Sequence, residues 1–123
     1  MTISSKRTYD PLLDVRGCVC IIAGACGGLG RAIVNGLAER GASLALLDTN
    51  RDGLNAMAAE MPEAVALPGD ITDEASLTEA VAQTVTHFGH LDHAINAAGV
   101  LPISPTETLD EATFRHCIDT NIT

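Results

Sequence analysis

The sequence predicts an α/β fold, a doubly wound parallel sheet with helices on both faces. Short continuous apolar runs, such as Cys18–Gly24 (CVCIIAG) and Ser43–Asp48 (SLALLD), alternate with longer stretches whose apolar residues recur at helical spacing. With one Tyr, two Phe and no Trp, the core must be built from Ala, Val, Ile and Leu, side chains that pack well between layers. Four strands alternating with helices imply right-handed crossovers and a parallel sheet.

Residues 1–16 are polar and contain Pro11, so they read as a tail. Cys18–Gly24 reads as a strand buried on both faces. A helix follows from near Gly28, with Leu29, Ile33, Val34 and Leu37 as its apolar positions and Gly41 as its stop. Ser43–Asp48 is the second strand. Asn50 can cap a short helix through Leu54 and Met57 that Pro62 terminates. Ala64–Leu67 is a weaker third strand. Thr72 or Asp73 caps the next helix, whose apolar face is Leu77, Val81, Val85 and Phe88 and whose end is Gly89. Leu91–Asn96 is the fourth strand. Past a loop with Pro102 and Pro105, Thr108 and Glu111 are spaced as a capping box for a last helix with Leu109, Phe114, Ile118 and Ile122 as apolar positions.

Composition narrows the partners. A net charge of −9 with seven scattered basic residues argues against nucleic acid, whose phosphates need clustered Lys and Arg, and against an anionic membrane surface. No stretch approaches the roughly 18 apolar residues that span a bilayer. Lys6 and Arg7 lead into no apolar block, so the N-terminus does not read as a secretory signal and a cytoplasmic location is expected. Cys18, Cys20, Cys26 and Cys117 are then expected as free thiols. His87, His90 and His93 do not share a face across Gly89, and no metal site is expected.

The chemistry is concentrated between Ala23 and Asp48. Strand, loop, helix and second strand fit the about 30 residues of a βαβ unit. Gly24, Gly28 and Gly30 can divide three tasks. One turns the chain off the strand, one lets the backbone approach a pyrophosphate, and one lets helix and strand pack closely. The helix N-terminus, from Gly28 through Leu29 and Gly30, offers free N–H groups and the positive end of its dipole to the phosphates. Cys26 lies within this loop and carries two readings: an indifferent buried thiol, or a thiolate stabilised by the helix N-terminus whose alkylation would block the ligand. Asp48, 18 residues past Gly30, can accept from the adenosine ribose hydroxyls and would repel a 2′-phosphate. The implied cofactor is NAD rather than NADP.

These residues resemble the short-chain dehydrogenase/reductase family over about Gly17 to Thr123. Ala23–Gly30 is similar to that family's Thr-Gly-x-x-x-Gly-x-Gly loop, with Ala23 where Thr is usual and a bracing hydroxyl therefore missing. Asp70-Ile71 resembles the pair that contacts adenine, the carboxylate taking the exocyclic amine and the Ile71 backbone the ring. Asn96, Ala97, Ala98 and Gly99 resemble the Asn-Asn-Ala-Gly segment expected beside the adenosine ribose, with Asn96 steadying the central strand. Phe88–Asp92 also has the family's look. Asn121 falls where the family keeps an Asn that positions a water in its proton relay. The resemblance implies a Rossmann-type sheet of strand order 3-2-1-4, an incomplete one, in a domain spanning 17–123 after the 1–16 tail.

The family's reaction also needs a Ser and a Tyr-x-x-x-Lys, in which Lys lowers the Tyr pKa for general acid/base work near neutral pH. The one tyrosine, Tyr9, and the one lysine, Lys6, both fall in the N-terminal tail. The chain therefore reads as the cofactor-binding half of such an enzyme, truncated before the Tyr/Lys segment and inactive alone. Two functional readings follow. One is an NAD-dependent oxidoreductase acting on a small alcohol or carbonyl, homo-oligomeric in its full-length form. The other is a non-catalytic dinucleotide-binding module or pseudoenzyme fragment. In either case the fourth strand is expected as a bare sheet edge beside an uncovered apolar helix face, which favours association.

Overall fold

The two most apolar runs become the two central strands of the sheet. The computed structural model describes residues 14–122. Over that span the chain runs β1 (Val19–Ala23), α1 (Gly28–Glu39), β2 (Ser43–Asp48), α2 (Arg51–Glu60), β3 (Val65–Pro68), α3 (Glu74–Phe88), β4 (His93–Asn96) and α4 (Glu111–Asn121). A single 3-10 turn, Thr106–Thr108, precedes α4. Lys6, Tyr9, Pro11 and most of the expected tail lie outside the described residues, as does Thr123.

All strand pairs are parallel and the order is β3-β2-β1-β4, as the family resemblance implies. Ile22 pairs with Leu46 on one side and Ile95 on the other. Alternate strand residues feed two cores. Cys20, Ile22, Leu44 and Leu46 pack with Val34 of α1 and Leu54 and Met57 of α2. Ile21, Ala45, Leu47 and Leu67 pack with Ala80 of α3 on the opposite face. Ile22 and Leu46 are fully enclosed, and each contributes about 1.5–3 kcal/mol through burial.

Helix ends follow local chemistry. Asn50 caps α2, its Oδ1 accepting from the Gly53 N–H at 3.0 Å. Asp73, rather than Thr72, caps α3, and Gly89 ends it in the left-handed conformation at φ +89°. The capping box expected from Thr108 and Glu111 does not form. Asp110 is the N-cap of α4, accepting from the Thr113 N–H at 2.7 Å, while the Thr108 hydroxyl donates to Pro105 O inside the 3-10 turn. A carboxylate at this position accepts more strongly than a hydroxyl and also meets the helix dipole.

Three expected apolar faces differ. Leu29 is 68 % exposed, and the buried residues of α1 are Gly30 and Val34. On α3 the small residues Ala80 and Thr84 make the closest approach, and the Thr84 hydroxyl donates back to Ala80 O at 2.7 Å. Leu77, Val81 and Val85 are displaced to one side and remain 37–42 % exposed. Leu77 and Val81 flank a groove of about 460 Å³ with Ala94, Ile95 and Ile122 along the edge strand β4. On α4 no residue is buried, and Leu109, Phe114 and Ile122 are all exposed.

Two contacts set the position of everything at the C-terminal end of the sheet. Gly24 leaves β1 at φ +76°, and a Cβ there would lie 2.5 Å from Ala98 N. Gly30 packs its Cα against the same turn, where a Cβ would lie 1.9 Å from Gly24 O. Only glycine fits at either position. At the other end of the sheet Asp92 ties β4 to β1. Its N–H donates to Val19 O at 2.9 Å, and its carboxylate accepts from the Val19 N–H at 2.7 Å and from His90 Nε2 at 2.9 Å. The Val19 N–H, first, and the nearby His90 hold the Asp92 carboxyl below its ordinary range.

Gly30→Ala is expected to cost about 3 kcal/mol or more, since the clash is with backbone and cannot be relieved by a rotamer change. Urea denaturation measures it, and a loss under about 1 kcal/mol contradicts the packing. Asp92 stabilises the fold at pH values above its unfolded pKa of about 3.9, and that contribution is lost as pH falls through the lowered folded value. In urea midpoints followed from neutral pH down to about pH 3, Asp92→Asn is expected to show a shallower acid decline than the parent chain. Parallel curves contradict this.

Candidate cofactor site

The site grows from the turn after β1. The Gly24 and Ala25 N–H groups both donate to Leu47 O, at 2.9 and 3.3 Å, which binds the loop to the end of β2. The Gly27 N–H donates to Gly24 O at 3.1 Å and the helix starts one residue later. No side chain caps α1 and no acid occupies its first turn. A Cβ at Gly28 would meet nothing within 4 Å. The loop thus presents open backbone at an uncapped helix N-terminus, the arrangement an anion requires. Gly24 and Gly30 supply the close packing and Gly28 supplies the open approach, which is the division of tasks a dinucleotide loop needs.

Asp48 stands at the end of β2 beside this loop. One carboxylate oxygen accepts from the Cys26 N–H at 3.0 Å and the other from the Asn50 N–H at 2.9 Å. Asp48 and Gly24 line a cavity of about 220 Å³ together with Asp70, Ile71, Ala97, Ala98 and Gly99. Residues expected at the pyrophosphate turn and at the adenosine, drawn from four separate segments, therefore line one space. Asp70 is held by its own turn: Oδ1 accepts from the Thr72 N–H at 2.9 Å and its hydroxyl at 2.8 Å. Those bonds, the backbone one first, keep the Asp70 carboxyl below its usual range, with a smaller contribution from His116.

Other expected residues lie outside the cavity lining. Asn96 turns the chain after β4, its Oδ1 accepting from the Ala98 N–H at 3.0 Å, while the Ala97 N–H donates to Ala23 O at 2.9 Å. Asn121 clamps the next residue of this loop. Its Oδ1 accepts from the Val100 N–H and its Nδ2 donates to Val100 O, both at 2.8 Å, with Cys117 Sγ at 3.3 Å from Nδ2. Leu29 and Gly30 belong to the first turn of α1 rather than to the cavity wall.

Of the two readings of Cys26, the structure agrees with the buried thiol and not with the stabilised thiolate. The Sγ packs 3.0 Å from the Cβ position of Gly53 and 3.8 Å from Asn50 O, at the start of α2. Burial, first, and the charge of Asp48 push the thiol pKa up, against a smaller opposing effect of Arg31. Cys26 thus meets Asp48 through its backbone N–H, and its thiol is turned to α2. All four cysteines are free, and Cys18 packs against the core that contains Cys20.

Sequence reasoning missed the wall supplied by α4. His116 and Thr120, one helical turn apart, both line the cavity, and the Thr120 hydroxyl is buried with no hydrogen-bond partner among the described residues. Their spacing of four was visible in the sequence, but their approach to Asp70 depends on how the loop after β4 folds back.

Comparison with known proteins agrees with this geometry. The sequence model of short chain dehydrogenases matches residues 18–123. An L-fucose dehydrogenase of Mus musculus is 35% identical over 108 residues, covering 86% of this chain and 39% of the relative. A D-threitol dehydrogenase of Mycolicibacterium smegmatis is 34% identical over 113 residues, 89% of this chain and 44% of the relative. Among solved structures, a 3-ketoacyl-(acyl-carrier-protein) reductase from Brucella melitensis complexed with NADH superimposes with a TM-score of 0.81 at 27% identity, covering 88% of this chain and 46% of that one. The chain spans less than half the length of each of these proteins. A family match over nearly the whole sequence, together with the strand order and the glycine-lined turn, places the chain in the short chain dehydrogenase family.

Proposed function

We infer that residues 17–123 are the NAD-binding part of an oxidoreductase that moves hydride between the nicotinamide ring and a small alcohol or carbonyl. The observation that carries this reading is the braced Asp48 carboxylate on the wall of a cavity that opens beside an uncapped helix N-terminus. Each Asp48 oxygen accepts one N–H and retains acceptor capacity for a ribose hydroxyl, while a 2′-phosphate would bring like charge against it. The backbone at Gly28–Gly30 holds the pyrophosphate, Asp70 and Ile71 hold the adenine, and Ala97–Gly99 lie along the ribose. His116 and Thr120 close the adenine side. When bound, a nicotinamide dinucleotide supplies a two-electron hydride carrier. Asn121 acts near the reaction centre by keeping the Val100 loop in register. The Brucella melitensis neighbour in complex with NADH supports the choice of cofactor class.

Within these 123 residues the sole tyrosine and lysine are Tyr9 and Lys6, so the residues bind cofactor without completing the family's proton relay. The family resemblance favours a homo-oligomeric enzyme in the full-length form, and the four free cysteines fit a cytoplasmic one.

Calorimetric titration tests the reading. NAD is expected to bind at least about tenfold more tightly than NADP, a difference of roughly 1.4 kcal/mol. Asp48→Ser is expected to narrow that ratio mainly by weakening NAD. Equal or tighter binding of NADP by the parent chain overturns the assignment. Incubation of residues 1–123 with NAD and simple secondary alcohols is expected to give no NADH absorbance, and turnover would contradict the missing relay.

A further inference from the structure

The glycine-rich turn is braced by a side chain that belongs to neither the glycine pattern nor the cavity wall. Cys26 is held from both sides by charged groups. Its N–H donates to Asp48 Oδ2 at 3.0 Å, and its carbonyl accepts from Arg31 Nε at 2.9 Å. The N–H belongs to the peptide plane before Cys26 and the carbonyl to the plane after it, so two successive peptide planes are fixed. Both bonds involve an ionised partner and are stronger than neutral ones. The Arg31 N–H meanwhile donates to Gly27 O at 2.9 Å, anchoring the residue in the first turn of α1. This brace is needed because Gly24, Gly27, Gly28 and Gly30 make the segment costly to order. Ala23 offers no hydroxyl to hold the turn, and no side chain caps the helix.

We propose that Arg31 is a positioning residue for the pyrophosphate of the dinucleotide: by holding the Cys26 carbonyl it fixes the backbone to which the phosphates bind. The role rests on the dinucleotide reading above. Arg31 acts through the loop, and its cationic group adds positive charge beside the helix N-terminus of an acidic chain.

The test compares Arg31→Met, which keeps the aliphatic stem, and Arg31→Lys, which keeps a charged donor, with the parent chain. In the ligand-free protein, amide hydrogen exchange at Cys26–Gly28 is expected to be about fivefold faster or more in Arg31→Met, while Ile21 and Ala45 in the central strands are unchanged. NAD and ADP-ribose are expected to bind about three- to tenfold more weakly, the effect of one charge-assisted hydrogen bond, with adenosine, which carries no phosphate, within about twofold. Arg31→Lys is expected to recover most of both losses. Unchanged exchange, unchanged NAD affinity, or an equal loss for adenosine overturns the proposal. A parent chain that binds neither NAD nor ADP-ribose would sink the dinucleotide reading and the positioning role with it. A parent that binds while Arg31→Met matches it sinks the positioning role alone.

Discussion

Three stretches of backbone meet at Gly24 with no room for a side chain between them. The end of β1, the first turn of α1 and the loop after β4 touch there through Gly24 O, Gly30 and Ala98 N. That contact fixes the N-terminus of α1 over the strand ends and brings the 97–100 loop within reach of Ala23, where the Ala97 N–H bonds. The cavity exists because these backbones converge. Its walls come from loops far apart in sequence, and each is pinned by a short-range device: Asp48 by two N–H groups, Asp70 by Thr72, and the β4 loop by Asn96 and Asn121.

The placement of charge reconciles the proposed anion site with an acidic chain. The net charge is −9, yet the first turn of α1 carries no acid and Arg31 reaches back over the loop. Asp48 is the nearest carboxylate to the turn, and its contact with Cys26 is a hydrogen bond to backbone. A carboxylate engaged in this way leaves the Gly28–Gly30 end of the helix clear. Under the NAD reading the same chain attracts the pyrophosphate at one point and excludes a 2′-phosphate at another, by the placement of charge rather than its total.

Much of this was legible from residue order because it depends on local chemistry. Buried strands on both faces demand continuous apolar runs, and β2 falls at Ser43–Asp48 as its run does. Asn50 starts α2 and Gly89 ends α3 through bonds made within a few residues, so local residue order locates them. Features set by tertiary approach were not legible. The stripe of Leu77, Val81 and Val85 has helical period, but Ala80 and Thr84 are small enough to bring α3 closer to the sheet and take the buried side. The Cys26 thiol lies beside Gly53 at the start of another helix, and burial there with the charge of Asp48 raises its pKa. His116 and Thr120 joined the site only because the loop after β4 folds back under the clamp of Asn121 on Val100.

Amide chemical-shift mapping of the isotope-labelled chain during titration with NAD tests the central claim most directly. The largest changes should fall at Gly27–Gly30, Asp48–Asn50, Asp70–Ile71 and Ala97–Val100, four segments that share no neighbour in sequence. Changes confined to the apolar groove beside Leu77, Val81 and Ile122, or none in those four segments at saturating NAD, would contradict it.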